Sequence, residues 1–300
     1  MAGWIKGAVA VAGLVAGGAA GAAALGNRKW SRTTARAVEG LARRVRTRSA
    51  SFSPALLDGL PHPVARYFES ALTPGQPFVR SARVEHSGEF RTGGLEDPWT
   101  DFHSVQHFTA DPPGFVWDAR IRMGPLLTVR VRDCYVGGRG SMTGRLAGLF
   151  PVVDQQGTPE LAAGALIRWL AEAAWFPTAL LPRPGLAWEA IDDSSARATL
   201  SDTGIEVSID CRFGAAGEIV QLNAQRYRDV DGVSVLTPWS VDLSDHALVK
   251  GMRIPLRGEV AWLLPEGRLG YWRGRIDKIE HTFARPAPAG VAPQRARAHP

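Results

Sequence analysis

Six polar side chains, four of which stand where the surrounding pattern calls for apolar ones, are the residues of this chain best suited to chemistry. Asp133 and Tyr135 continue the phase of Leu127, Val129 and Val131, Arg226 that of Val220, Leu222 and Ala224, and Asp192 that of Trp188 and Ala190. Arg168 and Glu172 stand four apart and flank an apolar stripe at helical spacing. An unpaired buried charge is costly, so these groups should pair with one another. Two readings follow. As an internal ion-pair network, the cluster fixes a helix against a sheet. As a pocket floor, it offers Glu172 or Asp133 as a proton acceptor and Arg168 or Arg226 to an anionic group, with Trp117 and Trp169 as apolar lining.

Other motifs carry less. Gly138-Arg139-Gly140-Ser141-Met142-Thr143-Gly144 misses the dinucleotide fingerprint by one residue and runs from strand to strand. A nucleotide loop needs its glycines at a helix N-terminus, so this run reads as a hairpin. No Gly-x-Ser-x-Gly elbow is present. His103 and His107 would suit one zinc on a helix, but in a strand four residues span about 13 Å. Asp229-x-Asp231-Gly232 opens like a calcium loop without its later ligands, so it reads as a turn. Neither a metal nor a cofactor is expected. Cys134 and Cys211 fall in strand-like runs and read as buried free thiols, with a disulfide between them as the alternative.

The elements that must position these groups are mostly strands. Phe115 to Met123 alternates apolar with polar residues, Leu127 onward continues likewise, and Gly137-Gly138 marks a hairpin. Further strands are expected at Ile205 to Phe213, Ile219 to Tyr227, Ile254 to Leu264 and Tyr271 to Phe283, with turns near Ala216-Gly217 and Asp231-Gly232. Two helices interrupt them. A short one follows Leu60-Pro61-His62-Pro63, from Val64 to Leu72. The stronger runs from Pro159 to Phe176, N-capped by Thr158, with Ala162, Leu166, Trp169, Ala173 and Phe176 on its apolar face. The expected fold is mainly β (α+β): a curved antiparallel sheet or half-barrel with one central helix on its concave face, plus an N-terminal hydrophobic helix.

Gly7 to Gly26 carries no charge and is long enough to span a bilayer. Lys6 and the Ala-Gly-Ala runs also fit a signal peptide. Four basic residues crowd the positions from Asn27 to Arg36, and the positive-inside rule then favours an uncleaved anchor with a cytoplasmic domain over export. Ser31 to Arg48 reads as a basic amphipathic helix, lying on anionic headgroups or solvated as a linker, with Trp30 suited to the membrane interface. The expected division is residues 1–26 as anchor or signal peptide, 27–53 as basic amphipathic linker, 54–284 as one β-rich domain and 285–300 as a disordered tail. Of the formal charge of +6, the contributions of eight basic residues from Arg28 to Arg48, and of Arg285, Arg295 and Arg297, lie outside the domain. The domain is close to neutral, which argues against a nucleic-acid partner. Membrane lipid is the expected partner and a hydrophobic small molecule the further one. The expected function is binding of an apolar or amphipathic ligand between curved sheet and helix. The alternatives are an enzyme using the Asp/Glu/Arg cluster on a small substrate, or a structural partner in a membrane complex.

Several runs resemble a bacterial family known only as a domain of unknown function. They are Pro113-Gly114-Phe115-Val116-Trp117-Asp118-Ala119, Arg132-Asp133-Cys134-Tyr135-Val136, Arg168-Trp169-Leu170-Ala171-Glu172, Trp175-Phe176-Pro177-Thr178, Trp188 with Ile191-Asp192-Asp193, and Tyr271-Trp272-Arg273-Gly274. The resemblance spans Leu60 to Phe283 and implies a membrane-linked bacterial protein, bringing no activity, cofactor or catalytic residue with it. In architecture alone, the pattern also resembles the lipoprotein-carrier half-barrel, a curved sheet lidded by helices around an apolar cavity.

Overall fold

The computed structural model of the chain describes residues 2–46, 51–91, 93–123 and 128–284, with side chains from Gly21 onward. Thirteen strands are found among them: β1 (Val79–Phe90), β2 (Thr100–Thr109), β3 (Gly114–Arg122), β4 (Thr128–Val136), β5 (Arg139–Leu146), β6 (Phe150–Gln156), β7 (Leu186–Asp192), β8 (Ser195–Asp202), β9 (Ile205–Phe213), β10 (Ile219–Val230), β11 (Val233–Val249), β12 (Met252–Leu264) and β13 (Gly267–Phe283). Period-two patterning and Gly-marked turns produce a meander, so sequence neighbours pair. The exception is β6 and β7, which stand at opposite edges, and the β1–β13 pairing joins the two arms into one antiparallel sheet, ordered β6-β5-β4-β3-β2-β1-β13-β12-β11-β10-β9-β8-β7.

The sheet curls without closing, and the helix between the arms packs within its concavity. Helix α1 spans Ala2–Ala42, α2 His62–Ala71 and α3 Pro159–Glu172. Thr158 caps α3 by accepting from the Leu161 N–H at 3.2 Å. The expected helix to Phe176 instead ends at Glu172 and tightens into 3-10 turns at Ala173–Trp175 and Pro177–Leu180. Helix α3 touches β3, β4 and β5 on one arm and β9 and β10 on the other. Side chains also bridge the arms: the Tyr135 hydroxyl donates to Asp202 Oδ2 at 2.7 Å, and Gln155 Nε2 to Asp229 Oδ2 at 2.9 Å. Leu166, Trp169 and Phe176 are fully buried against Phe108 and Phe115 of the sheet. Cys134 and Cys211 are buried free thiols.

The glycine-rich run after β4 has a packing reason. Gly137 and Gly138 take positive φ (61° and 80°) in the hairpin turn. Gly140 needs no special φ, but a Cβ there would lie 2.7 Å from the Leu161 carbonyl group of α3. Gly140→Ala is therefore expected to push α3 off β5 and cost about 1–3 kcal/mol, the usual range for overpacking. A urea midpoint no lower than that of Gly94→Ala, where a Cβ meets nothing within 4 Å, would refute this close approach.

The segment expected as anchor and linker is one continuous helix, α1, whose C-terminal half docks on the outer face of the sheet. Leu41 is buried with Val116 and Cys134, with Ala37, Val38 and Val136 packed around them. Trp30, expected at a membrane interface, is instead buried. Its indole N–H donates to Asp118 Oδ1 at 2.9 Å, and the guanidinium carbons of Arg130 and Arg132 lie 5.5 and 4.8 Å from its ring centroid. Alternation along β4 is the cause. Val129, Val131 and Asp133 face inward, so Arg130 and Arg132 face outward, where a Trp ring covers them by cation–π contact. The apolar stripe of this helix therefore meets the sheet rather than lipid. The apolar run Gly7–Gly26 lies mostly outside the residues with described side chains, as does the tail 285–300; among the described residues no helix is long and apolar enough to cross a membrane.

Candidate functional site

A cavity of about 420 Å³ lies between α3 and the inner face of the sheet. Its walls are almost wholly apolar, led by Trp117, Trp175, Trp239 and Trp272, with Met142 and Val241 between them. Trp117 sits beside Gln106 of β2 and Asp133 of β4 in the strand register, so β2, β3 and β4 present one inner row. At the rim, Met123 is 42% and Val152 is 51% exposed, and Phe150, two residues along β6, is 63% exposed.

The polar floor is built where α3 crosses that row. Arg168 donates from Nη1 to Asp133 Oδ2 at 2.8 Å and from Nε to Glu172 Oε1 at 3.0 Å. Gln106 Nε2 donates to the other Glu172 oxygen at 2.7 Å, and Arg168 Nη2 to Gln106 Oε1 at 3.4 Å. The guanidinium also lies over Trp117 and Phe115, 4.8 and 5.1 Å from their ring centroids. Burial pushes the Glu172 carboxyl above its usual range, while Arg168 and Gln106 favour its charged form. All three guanidinium nitrogens and both Glu172 oxygens are engaged. This geometry clamps α3 to β4, with one hydrogen bond on each Glu172 oxygen.

His86 of β1 adjoins this floor. Its ring is 4.8 Å from that of Trp175, and Nδ1 lies 3.4 Å from Ser104 Oγ. Burial, with Arg168 second, holds its imidazole down to about 3, so the ring is neutral at ordinary pH.

A second polar group stands apart in the same wall. Arg226 of β10 donates to Gly164 O of α3 at 3.0 Å and to the Tyr271 hydroxyl at 3.2 Å. Its guanidinium carbon lies 5.2 Å from the Trp239 ring centroid and 5.8 Å from that of Trp262.

The expected cluster thus divides. Asp133, Arg168, Glu172, Arg226 and Trp117 line the cavity; Tyr135, Asp192 and Trp169 do not. Tyr135 is buried at the seam between the arms, bonded to Asp202. Trp169 is consumed by packing, its Nε1 donating to Thr109 O at 2.9 Å. Asp192 is exposed and accepts from the Ser194 N–H and hydroxyl in the turn to β8, because edge strand β7 leaves the core after Trp188. His86, Gln106 and Tyr271 are additions. The signal that flagged Asp133 also marks two of them: Gln106 lies in the phase of Phe102 and Phe108, and His86 in that of Ala82 and Val84. Among the described residues no His/Cys/Asp/Glu group could hold a metal.

Residues 58–281 match the family described as "Family of unknown function (DUF6920)", and the chain belongs to it. No curated protein matches the sequence. Among solved structures, the chain is similar to a LolA superfamily protein from Nitrosomonas europaea, with 12% identity and a TM-score of 0.36 over 75% of this chain and 93% of that one. It is also similar to a β-barrel-like protein of the domain of unknown function DUF1849 from Brucella abortus, with 8% identity and a TM-score of 0.31 over 69% of this chain and 99% of that one.

Proposed function

We propose that this DUF6920 member binds one apolar or amphipathic ligand, in the leading case a lipid, in the cavity between α3 and the sheet. The observation that carries the reading is the cavity itself: apolar, walled by tryptophans, and of about 420 Å³, within the usual range for small-molecule sites. A protein that served only as a structural partner would fill such a space, because empty apolar volume forfeits packing energy.

The rim supports a membrane source for the ligand. Gly26 of α1 abuts Gly148, in the turn joining β5 and β6, close to Phe150 and Val152. The apolar run that precedes Gly26 therefore leaves the fold beside exposed apolar residues. Arg28, Lys29, Arg32 and Arg36 follow at once and favour attachment with the domain on the cytoplasmic side.

The test is to wash the full-length protein in non-ionic detergent, extract it with organic solvent and identify what is released by mass spectrometry. A stoichiometric lipid is expected from the natural protein. Val241→Trp, which places an indole in the cavity, should reduce the yield at least tenfold. No lipid from the natural protein, together with no uptake of an apolar fluorescent probe, would exclude the reading.

A further inference from the structure

Arg226 is a donor still short of acceptors. Among the described residues no carboxylate lies within 4.0 Å of it, and beyond Gly164 O and the Tyr271 hydroxyl its nitrogens donate to nothing. The Tyr271 hydroxyl accepts from Arg226 and also from Trp239 Nε1 at 2.9 Å, which occupies both lone pairs. Its own proton has no acceptor among the described residues. A guanidinium and a phenol O–H thus stand side by side in an apolar wall with N–H and O–H groups unspent. Both side chains are half-buried, so these donors stay open to a ligand, while the guanidinium lies over the faces of Trp239 and Trp262.

Arg168, the other cation of the cavity, differs in every respect that matters. It is shared between Asp133 and Glu172, and with all three of its nitrogens engaged it is already spent on partners within the fold. We infer that Arg226 and Tyr271 form the headgroup subsite of the cavity, and that its ligand is an amphiphile with an apolar chain and a single carboxylate or phosphate head. A planar guanidinium fits either head by paired hydrogen bonds. The tryptophan walls receive the chain, and Arg226 receives the head. This inference rests on the ligand-binding reading above and gives the ligand a charge and an orientation.

The experiment compares parinaric acid, a fluorescent fatty acid, with its uncharged methyl ester on the full-length protein in non-ionic detergent. The acid is expected to bind roughly 10- to 100-fold tighter than the ester, the ratio usual for a charge-assisted hydrogen bond. Arg226→Met should abolish that ratio. Equal binding of acid and ester by the natural protein overturns the subsite even if the variant fails to fold, and leaves the cavity reading standing. Binding of neither probe overturns both. Displacement of the acid by dodecanoate but not dodecyl phosphate assigns a carboxylate head, and the reverse assigns a phosphate; displacement by neither counts against the subsite.

Discussion

Arg168→Met is expected to destabilise the protein by about 3–5 kcal/mol, because it strands two buried carboxylates that now share one cation. The Asp133 side chain is only 3% exposed and that of Glu172 15%, so little solvent reaches either carboxylate. For a fold of this size the loss corresponds to a fall of roughly 10 °C in Tm. The size comes from the isolated charges, not from the net value of the ion pair, since a buried pair recovers little more than its own desolvation cost. Two further results should follow. Adding Asp133→Asn and Glu172→Gln to Arg168→Met should recover most of the stability. The deficit of the single variant should also shrink as pH falls, because protonation relieves carboxylates that have lost their cation. Urea unfolding at several pH values measures all three. A loss below about 1 kcal/mol for the single variant would show that solvent already screens the cluster.

Acid should weaken the fold through His86, with a total effect of roughly 5 kcal/mol between pH 6.5 and pH 3. Above the ordinary histidine value of 6.5, the ring is neutral in folded and unfolded chains, and pH has no effect through it. Below that value the unfolded chain takes up a proton. The folded chain does not until about 3, because the ring is buried against Trp175 with Arg168 nearby. Stability should therefore fall by about 1.4 kcal/mol per pH step across that window. His86→Phe keeps an aromatic ring between Trp175 and Trp272 and removes the titration. Loss of the Ser104 contact shifts the variant's stability at all pH values alike, so the difference in slope isolates the imidazole. Parallel stability profiles for the two proteins between pH 6 and pH 4 would sink this account.

Much of the architecture is legible in the residues themselves. Alternation in Phe115–Met123 and Ile205–Phe213, the turns at Gly137-Gly138 and Asp231-Gly232, and the Thr158 cap are local, and each matches an observed element within a few residues. The inward phase of Asp133 and the helical spacing of Arg168 and Glu172 were equally local, and all three line the cavity. Wherever pattern and pairing part company, the tertiary structure decides. Tyr135 shares its phase with Asp133 but meets Asp202, 67 residues away, because the curled arms bring β4 against the end of β8. Asp192 keeps an inward phase in a strand that has already left the core. The apolar stripe after Trp30, which suits lipid equally well, meets the outer face of β3 and β4. Side-chain periodicity states which face of an element is apolar, because backbone geometry repeats along the chain. What that face meets depends on the β1–β13 pairing and the sheet's curvature, which join residues far apart in sequence. Only those long-range contacts distinguish Arg168, locked between two carboxylates, from Arg226, which none of the described carboxylates reaches.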